Sequence, residues 1–295
     1  PFSTFYIPDI FSGKVSTGAL PLMLIEELLE GYYVTGSECN LCQFCQAICG
    51  SVANVQFLKR GDIFQQYTVL WPDVDFLQDQ YSRFAREFLV EQKVYYKELV
   101  RIAKEISAIM QSVSEGAGVE NSNLRGGYQA RLRELESEMK ELQQTIVFTE
   151  KERKQFRVNS FGNWISIVFH NTESGEENLL FTGDVECTHM RRIEEMGDIS
   201  LHERYKYIKI PHHGTEKYYW NFYRYHPDII LIPNGRVQKG WGISEKYADN
   251  GLSHEPLRCC SNCNACKAWD AVSKCRCKNR IIVYRSSGSQ ISIKI

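Results

Sequence analysis

Two short apolar runs that end abruptly in metal-binding residue types constrain this chain most. Leu179-Leu180-Phe181 leads into Thr182-Gly183-Asp184, and Ile208-Lys209-Ile210 leads into Pro211-His212-His213-Gly214-Thr215. Runs this short, closed by Gly and Pro, read as buried strands. Strand tips fix side chains better than free loops do. A carboxylate and an imidazole on adjacent strand ends can therefore converge on one ion. A lone Gly-Asp is an ordinary turn; the strand-then-ligand pattern occurring twice is the informative signal.

Further segments carry the same punctuation. They are Phe5-Tyr6-Ile7-Pro8-Asp9, Phe57-Leu58-Lys59-Arg60-Gly61-Asp62, Tyr67-Thr68-Val69-Leu70-Trp71-Pro72, and Asn159 to Phe169. After the His pair come Asp228-Ile229-Ile230-Leu231-Ile232-Pro233-Asn234-Gly235 and then 280–285 and 290–295, the last two joined at Ser-Gly-Ser as a hairpin. Together these segments resemble the metallo-β-lactamase fold, in particular the hydrolase domain of ComEC-type competence proteins and their soluble relatives. The resemblance implies an α/β architecture, an αββα sandwich that is incomplete at its N-terminus. Residues 1–77 and 158–295 would be its two parts, with a helical insertion at 78–157.

The departures are specific. The family's principal metal loop is His-x-His-x-Asp-His, and none of the seven histidines here is spaced as His-x-His. The chain begins at Pro1, inside what reads as the domain, so the expectation is a fragment whose upstream part holds that loop. Where the family has Tyr-Gly-His-Pro, this chain has Gly240-Trp241-Gly242-Ile243.

The insertion reads as helical. Phe88, Tyr95, Leu99, Ile102, Ile106, Ile109 and Val113 recur at steps of three, four and seven, predicting one long helix over 78–113. After a Gly- and Asn-rich break, Tyr128, Leu132, Leu135, Met139, Leu142 and Ile146 predict a second helix. The pair is expected to form an antiparallel hairpin projecting from the domain. It would either pack on itself or serve as an arm for a homodimer or a partner protein.

The chain has eleven cysteines. Cys39, Cys42, Cys45 and Cys49 follow the spacing of bacterial iron–sulfur ferredoxins; Cys259, Cys260, Cys263, Cys266, Cys275 and Cys277 form a second cluster in a polar insertion at 252–279. Thiolates two residues apart also suit Zn²⁺, so both clusters are candidate zinc or iron–sulfur sites, with disulfides the alternative. Cys187 stands alone and reads as a small buried residue.

Composition sets the remaining bounds. A net charge of −1 gives no global basic field for nucleic acid. No apolar run approaches the ~18 residues of a membrane span, so no membrane segment is expected and the chain reads as cytoplasmic. The stretch from Ala19 to Leu29 carries Glu26 and Glu27 and predicts an ordinary helix.

The family resemblance implies a hydrolase for a phosphodiester, nucleic acid or nucleotide. Asp184 would bridge two Zn²⁺ or Mn²⁺ ions, one of His212 and His213 would complete the second site, and the metals would activate a water. Asn234 and Gly235 would contact substrate. Lys206, Lys209, Lys217, Arg224 and Arg236 are candidate phosphate holders. A non-enzymatic reading stays open, in which a catalytically incomplete sandwich stapled by cysteine metal sites acts in assembly. So does a redox-gated enzyme.

Overall fold

A computed structural model describes residues 4–13, 19–30, 40–51, 54–88, 93–115, 122–147, 149–150, 161–232, 244–247, 257–260, 282–285 and 291–294. The chain is mixed α/β and divides into two compact units, Pro1–Arg60 with Pro72–Ile165, and Gly61–Trp71 with Ser166–Ile295.

The first unit is mostly helical. It holds β1 (Thr4–Pro8), α1 (Ala19–Glu30), α2 (Leu41–Ser51), β2 (Asn54–Leu58), α3 (Val74–Phe88), α4 (Lys93–Ser114), α5 (Ser122–Thr145) and the single turn α6 (Phe161–Trp164). β1 and β2 pair in parallel, from Thr4 opposite Asn54 to Pro8 opposite Leu58. α1 is apolar nearly all round: Leu20, Leu22, Met23, Leu24 and Ile25 are all buried. A helix without a polar face must be covered on several sides, and α3, α4, α5 and α6 all pack on it.

That requirement decides where the helical pair goes. α4 and α5 are antiparallel, as Arg101–Glu138 and Arg131–Glu105 ion pairs between them show. They do not project as an arm. α5 packs chiefly on α2, while α4 packs on α1 and β2. The buried stripe of α4 includes Ala103 and Met110 beside Leu99, Ile102 and Ile106, wider than a two-helix seam needs. The span predicted as one helix over 78–113 is described as α3 and α4, on either side of residues 89–92, which lie outside the described residues.

α2 begins with a reciprocal cap. Asn40 Oδ1 accepts from the Gln43 amide at 2.8 Å, and Gln43 Oε1 accepts from the Asn40 amide at 3.3 Å. Glu136 of α5 then binds α2 through Gln43 Nε2 (2.9 Å) and Gln46 Nε2 (3.1 Å).

The second unit is a seven-stranded sheet in the order β3-β4-β5-β6-β7-β8-β9. Its strands are β3 (Ile63–Phe64), β4 (Tyr67–Trp71), β5 (Val168–Asn171), β6 (Leu179–Phe181), β7 (Tyr207–Lys209), β8 (Ile229–Ile232) and β9 (Leu257–Cys260). Pairing is antiparallel from β3 to β6 and parallel from β6 to β9. On one face His170, Leu180, Ile208 and Ile230 stand opposite one another across four strands, and all four are buried. Helix α7 (Cys187–Met196) connects β6 to β7 and buries Met190 and Ile193. β10 (Ile282–Arg285) and β11 (Ile291–Lys294) form the separate antiparallel pair expected near the chain end. Among the described residues no helix is long and apolar enough to cross a membrane.

Candidate functional site

In the parallel half of the sheet, β6, β7 and β8 all point their carboxyl ends the same way. That edge is where open α/β sheets gather ligand-binding groups. Asp184 follows β6 there and the His pair follows β7.

The backbone at both ends is unusual. Gly183 has φ 54°, and a Cβ on it would lie 2.8 Å from the Ile167 carbonyl oxygen and 2.8 Å from Ser166 Cβ. Only glycine fits so tight a turn. Thr182, fully buried, donates from Oγ1 to the Lys209 carbonyl at 2.7 Å and so ties the two strand ends together. After β7, His212 (φ 43°, ψ 52°) and His213 (φ 59°, ψ 10°) are both left-handed, and Gly214 follows at φ 78°. Two consecutive non-glycine residues in this region cost about 1–3 kcal/mol each, and such strain persists where surrounding structure imposes it, often at functional sites.

The result is a compact group around one carboxylate. Asp184 Oδ2 lies 3.3 Å from His213 Nε2, and Oδ1 lies 3.0 Å from Lys209 Nζ. Lys209 also donates to the Gly183 carbonyl. His212 turns the other way: its Nδ1 is 3.3 Å from the Asp184 backbone carbonyl, and its ring packs on Tyr218 with centroids 4.0 Å apart. His212 is buried, whereas the His213 side chain is 44% exposed. Of the two, His213 is the one whose ring nitrogen meets the carboxylate.

Burial alone would raise the Asp184 pKa, but the His213 hydrogen bond and the Lys209 charge outweigh it and hold the carboxyl well below its usual range. Burial lowers the pKa of Lys209, and the Asp184 charge opposes that. Burial likewise lowers the His212 pKa.

A carboxylate oxygen and an imidazole nitrogen 3.3 Å apart fit two corners of a Zn²⁺ or Mn²⁺ shell. Among the described residues no group of three or more His, Cys, Asp or Glu side chains could complete it. Oδ1 faces the Lys209 ammonium group.

The other expected site residues part from this group. Cys42, Cys45 and Cys49 lie on one buried face of α2. Burial pushes Cys42 up to about 12 and Cys49 up to about 11, so both are held as neutral apolar groups. Cys39, Cys263, Cys266, Cys275, Cys277, Asn234 and Gly235 lie outside the described residues, and Cys259 and Cys260 are described only as strand β9. Cys187, expected to be buried, is only partly so, at the start of α7.

The expected phosphate holders are engaged elsewhere. Lys206 pairs with Glu177, Arg224 with Glu194 at 2.6 Å, and Lys217 sits over the Tyr218 ring; Arg236 lies outside the described residues. Lys209 points into the site and not toward solvent. The sequence carries one signal for this: Lys209 is a lone charge between Ile208 and Ile210 in an otherwise apolar strand.

Compared with family models, curated proteins and solved structures, the chain matches none.

Proposed function

We propose that this chain carries part of the active site of a metal-dependent hydrolase of the metallo-β-lactamase type, acting on a phosphodiester. The observation that supports this most is the meeting of Asp184 and His213 at the ends of adjacent parallel strands, on backbone too strained to be there by default. Asp184 Oδ2 and His213 Nε2 would hold the ion, with ligands beyond the described residues joining them. When bound, such an ion lowers the pKa of a water and stabilises the oxyanion that forms at the scissile centre.

The chain's own residues prepare the site. Lys209 and Thr182 fix the two strand ends on each other. His212, held against Tyr218 and the Asp184 backbone, orients the loop that presents His213. The test is hydrolysis of bis(p-nitrophenyl) phosphate with added Mn²⁺. Turnover by the wild type and its loss in Asp184→Ala support the reading. Equal rates in both proteins reject it and leave the chain as an assembly module of the same fold.

A further inference from the structure

The contact between His213 and Asp184 stands on three successive left-handed residues, His212, His213 and Gly214, at φ 43°, 59° and 78°. Such backbone persists where surrounding structure over-determines it. Regular structure does little of that here. From Pro211 to the start of β8, the described chain has three single 3₁₀ turns, Pro211–Gly214, Glu216–Tyr218 and Tyr223–Tyr225, and no strand or longer helix. The hydrogen bonds of such turns have poor geometry, so they hold a conformation weakly by themselves.

Ties reach this stretch from residues 244–247, between β8 and β9. The Ser244 amide donates to the Gly214 carbonyl at 2.8 Å, one residue past His213. Ser244 is 2% exposed, so little water competes for that bond. Its hydroxyl donates to Glu216 Oε2, and Lys246 Nζ lies 2.6 Å from Glu216 Oε1. Tyr247 is fully buried among the aromatic side chains that follow the His pair. Its ring stacks on Phe222 with centroids 5.6 Å apart, lies 4.9 Å from Tyr219, and its carbonyl accepts from the Tyr223 hydroxyl at 2.8 Å. His213 is thus bracketed. His212 is held by the Asp184 backbone and Tyr218 on one side of it, and Gly214 by Ser244 on the other.

Resting on the hydrolase reading above, we propose that residues 244–247 form a clasp that holds His213 in the conformation facing Asp184, with Ser244 and Tyr247 as positioning residues for the pair. Tyr247 is the anchor and Ser244 the contact. The Tyr247 amide donates to the Ser244 carbonyl at 3.1 Å, so burying the ring fixes where the Ser244 amide stands. That amide in turn fixes the peptide that follows His213.

Amide hydrogen exchange, followed by NMR on the metal-free full chain, tests the clasp, and Mn²⁺ titration tests what it positions. The Ser244 amide should exchange slowly in the wild type. Tyr247→Ala should speed exchange at Ser244, Thr215 and Tyr218 by about tenfold while β5 and β6 keep their protection. It should also weaken Mn²⁺ binding by about tenfold, as loss of a residue that orients a ligand does. Tyr247→Phe, which keeps the ring, should restore both. Ser244→Pro deletes the amide donor without opening a cavity, and should speed exchange at Thr215 and weaken Mn²⁺ binding in the same way.

An unprotected Ser244 amide in the wild type overturns the proposal, and this arm decides even if neither variant folds. Unchanged exchange in folded Tyr247→Ala or Ser244→Pro overturns it too. Faster exchange with unchanged Mn²⁺ affinity overturns the positioning role, because the contacts then brace the fold alone. Absence of Asp184-dependent Mn²⁺ binding in the wild type is a different failure: it removes the hydrolase reading, and the positioning role with it, whatever the exchange rates.

Discussion

The carboxylate of Asp184 and the ammonium of Lys209 meet at 3.0 Å across two adjacent parallel strands, the first at the end of β6 and the second closing β7. Breaking a buried charge pair from one side costs about 3–5 kcal/mol, because the remaining charge is left uncompensated. Here the Asp184 side chain is 36% exposed, and water screens part of that loss. Asp184→Asn should therefore lower stability by about 1–2 kcal/mol, measured by urea denaturation. The double variant Asp184→Asn with Lys209→Met should recover most of it, whereas additive losses would show that the two do not act as a pair.

Gly183 should tolerate no side chain. Its φ of 54°, and the 2.8 Å that would separate an alanine Cβ from the Ile167 carbonyl oxygen, make Gly183→Ala both strained and crowded. The expected loss is about 2–4 kcal/mol. Gly175 supplies the control, since its nearest neighbour to an added Cβ is 3.9 Å away and its φ is not positive. Thermal melts that rank the two alanine variants equally would contradict the tight turn before Asp184.

Glu27 gives a pH dependence with a defined sign. Burial pushes its carboxyl up to about 7, against the opposing hydrogen bond from the Leu41 amide, with the charges of Glu26 and Glu136 adding to the rise. The folded chain thus binds more protons than the unfolded chain between about pH 4.5 and 7. Glu27's contribution is full below pH 4.5 and is lost as pH rises through 7, up to about 3 kcal/mol in all. Glu27→Gln, which keeps an acceptor for the Leu41 amide, should be more stable than the wild type at pH 8 and lose most of that advantage at pH 5. A pH-independent difference would place the carboxyl in water.

The sequence makes the sheet edge legible and leaves the helical packing open. Gly183 and the Pro-His-His-Gly run mark abrupt strand ends because few residues other than glycine accept those backbone angles, and that signal is local. Periodicity in α4 and α5 identifies Leu99, Ile102, Leu132 and Leu135 as buried, but a stripe says which face is covered and not by what. The need comes from elsewhere, in the apolar α1. The cysteines show a true degeneracy. Steps of three, three and four from Cys39 to Cys49 are a ferredoxin spacing and equally one face of a helix, and in α2 Cys42, Cys45 and Cys49 form such a face. Lys209 is visible as a misplaced charge, yet only its distance from Asp184 shows what it balances.

Leu135 tests the packed position of α5. It is fully buried on the helix that packs on α2. Leu135→Ala should cost about 2–5 kcal/mol in chemical denaturation, as for any well-packed core leucine. A loss under about 1 kcal/mol would fit a solvated arm instead.

The α2 thiols should be inert. Alkylation of the native protein by iodoacetamide, read by mass spectrometry, should modify the partly exposed Cys187 while sparing Cys42, Cys45 and Cys49 until denaturant is added. Rapid native modification of the α2 residues would show that this face of the helix is open.

In the proposed site Asp184 and His213 together hold a cation, and calorimetric titration of Mn²⁺ into the wild type, Asp184→Ala and His213→Ala is the decisive measurement. Binding in the wild type that is weakened at least tenfold in both variants is the predicted result; the same binding in all three proteins would contradict it.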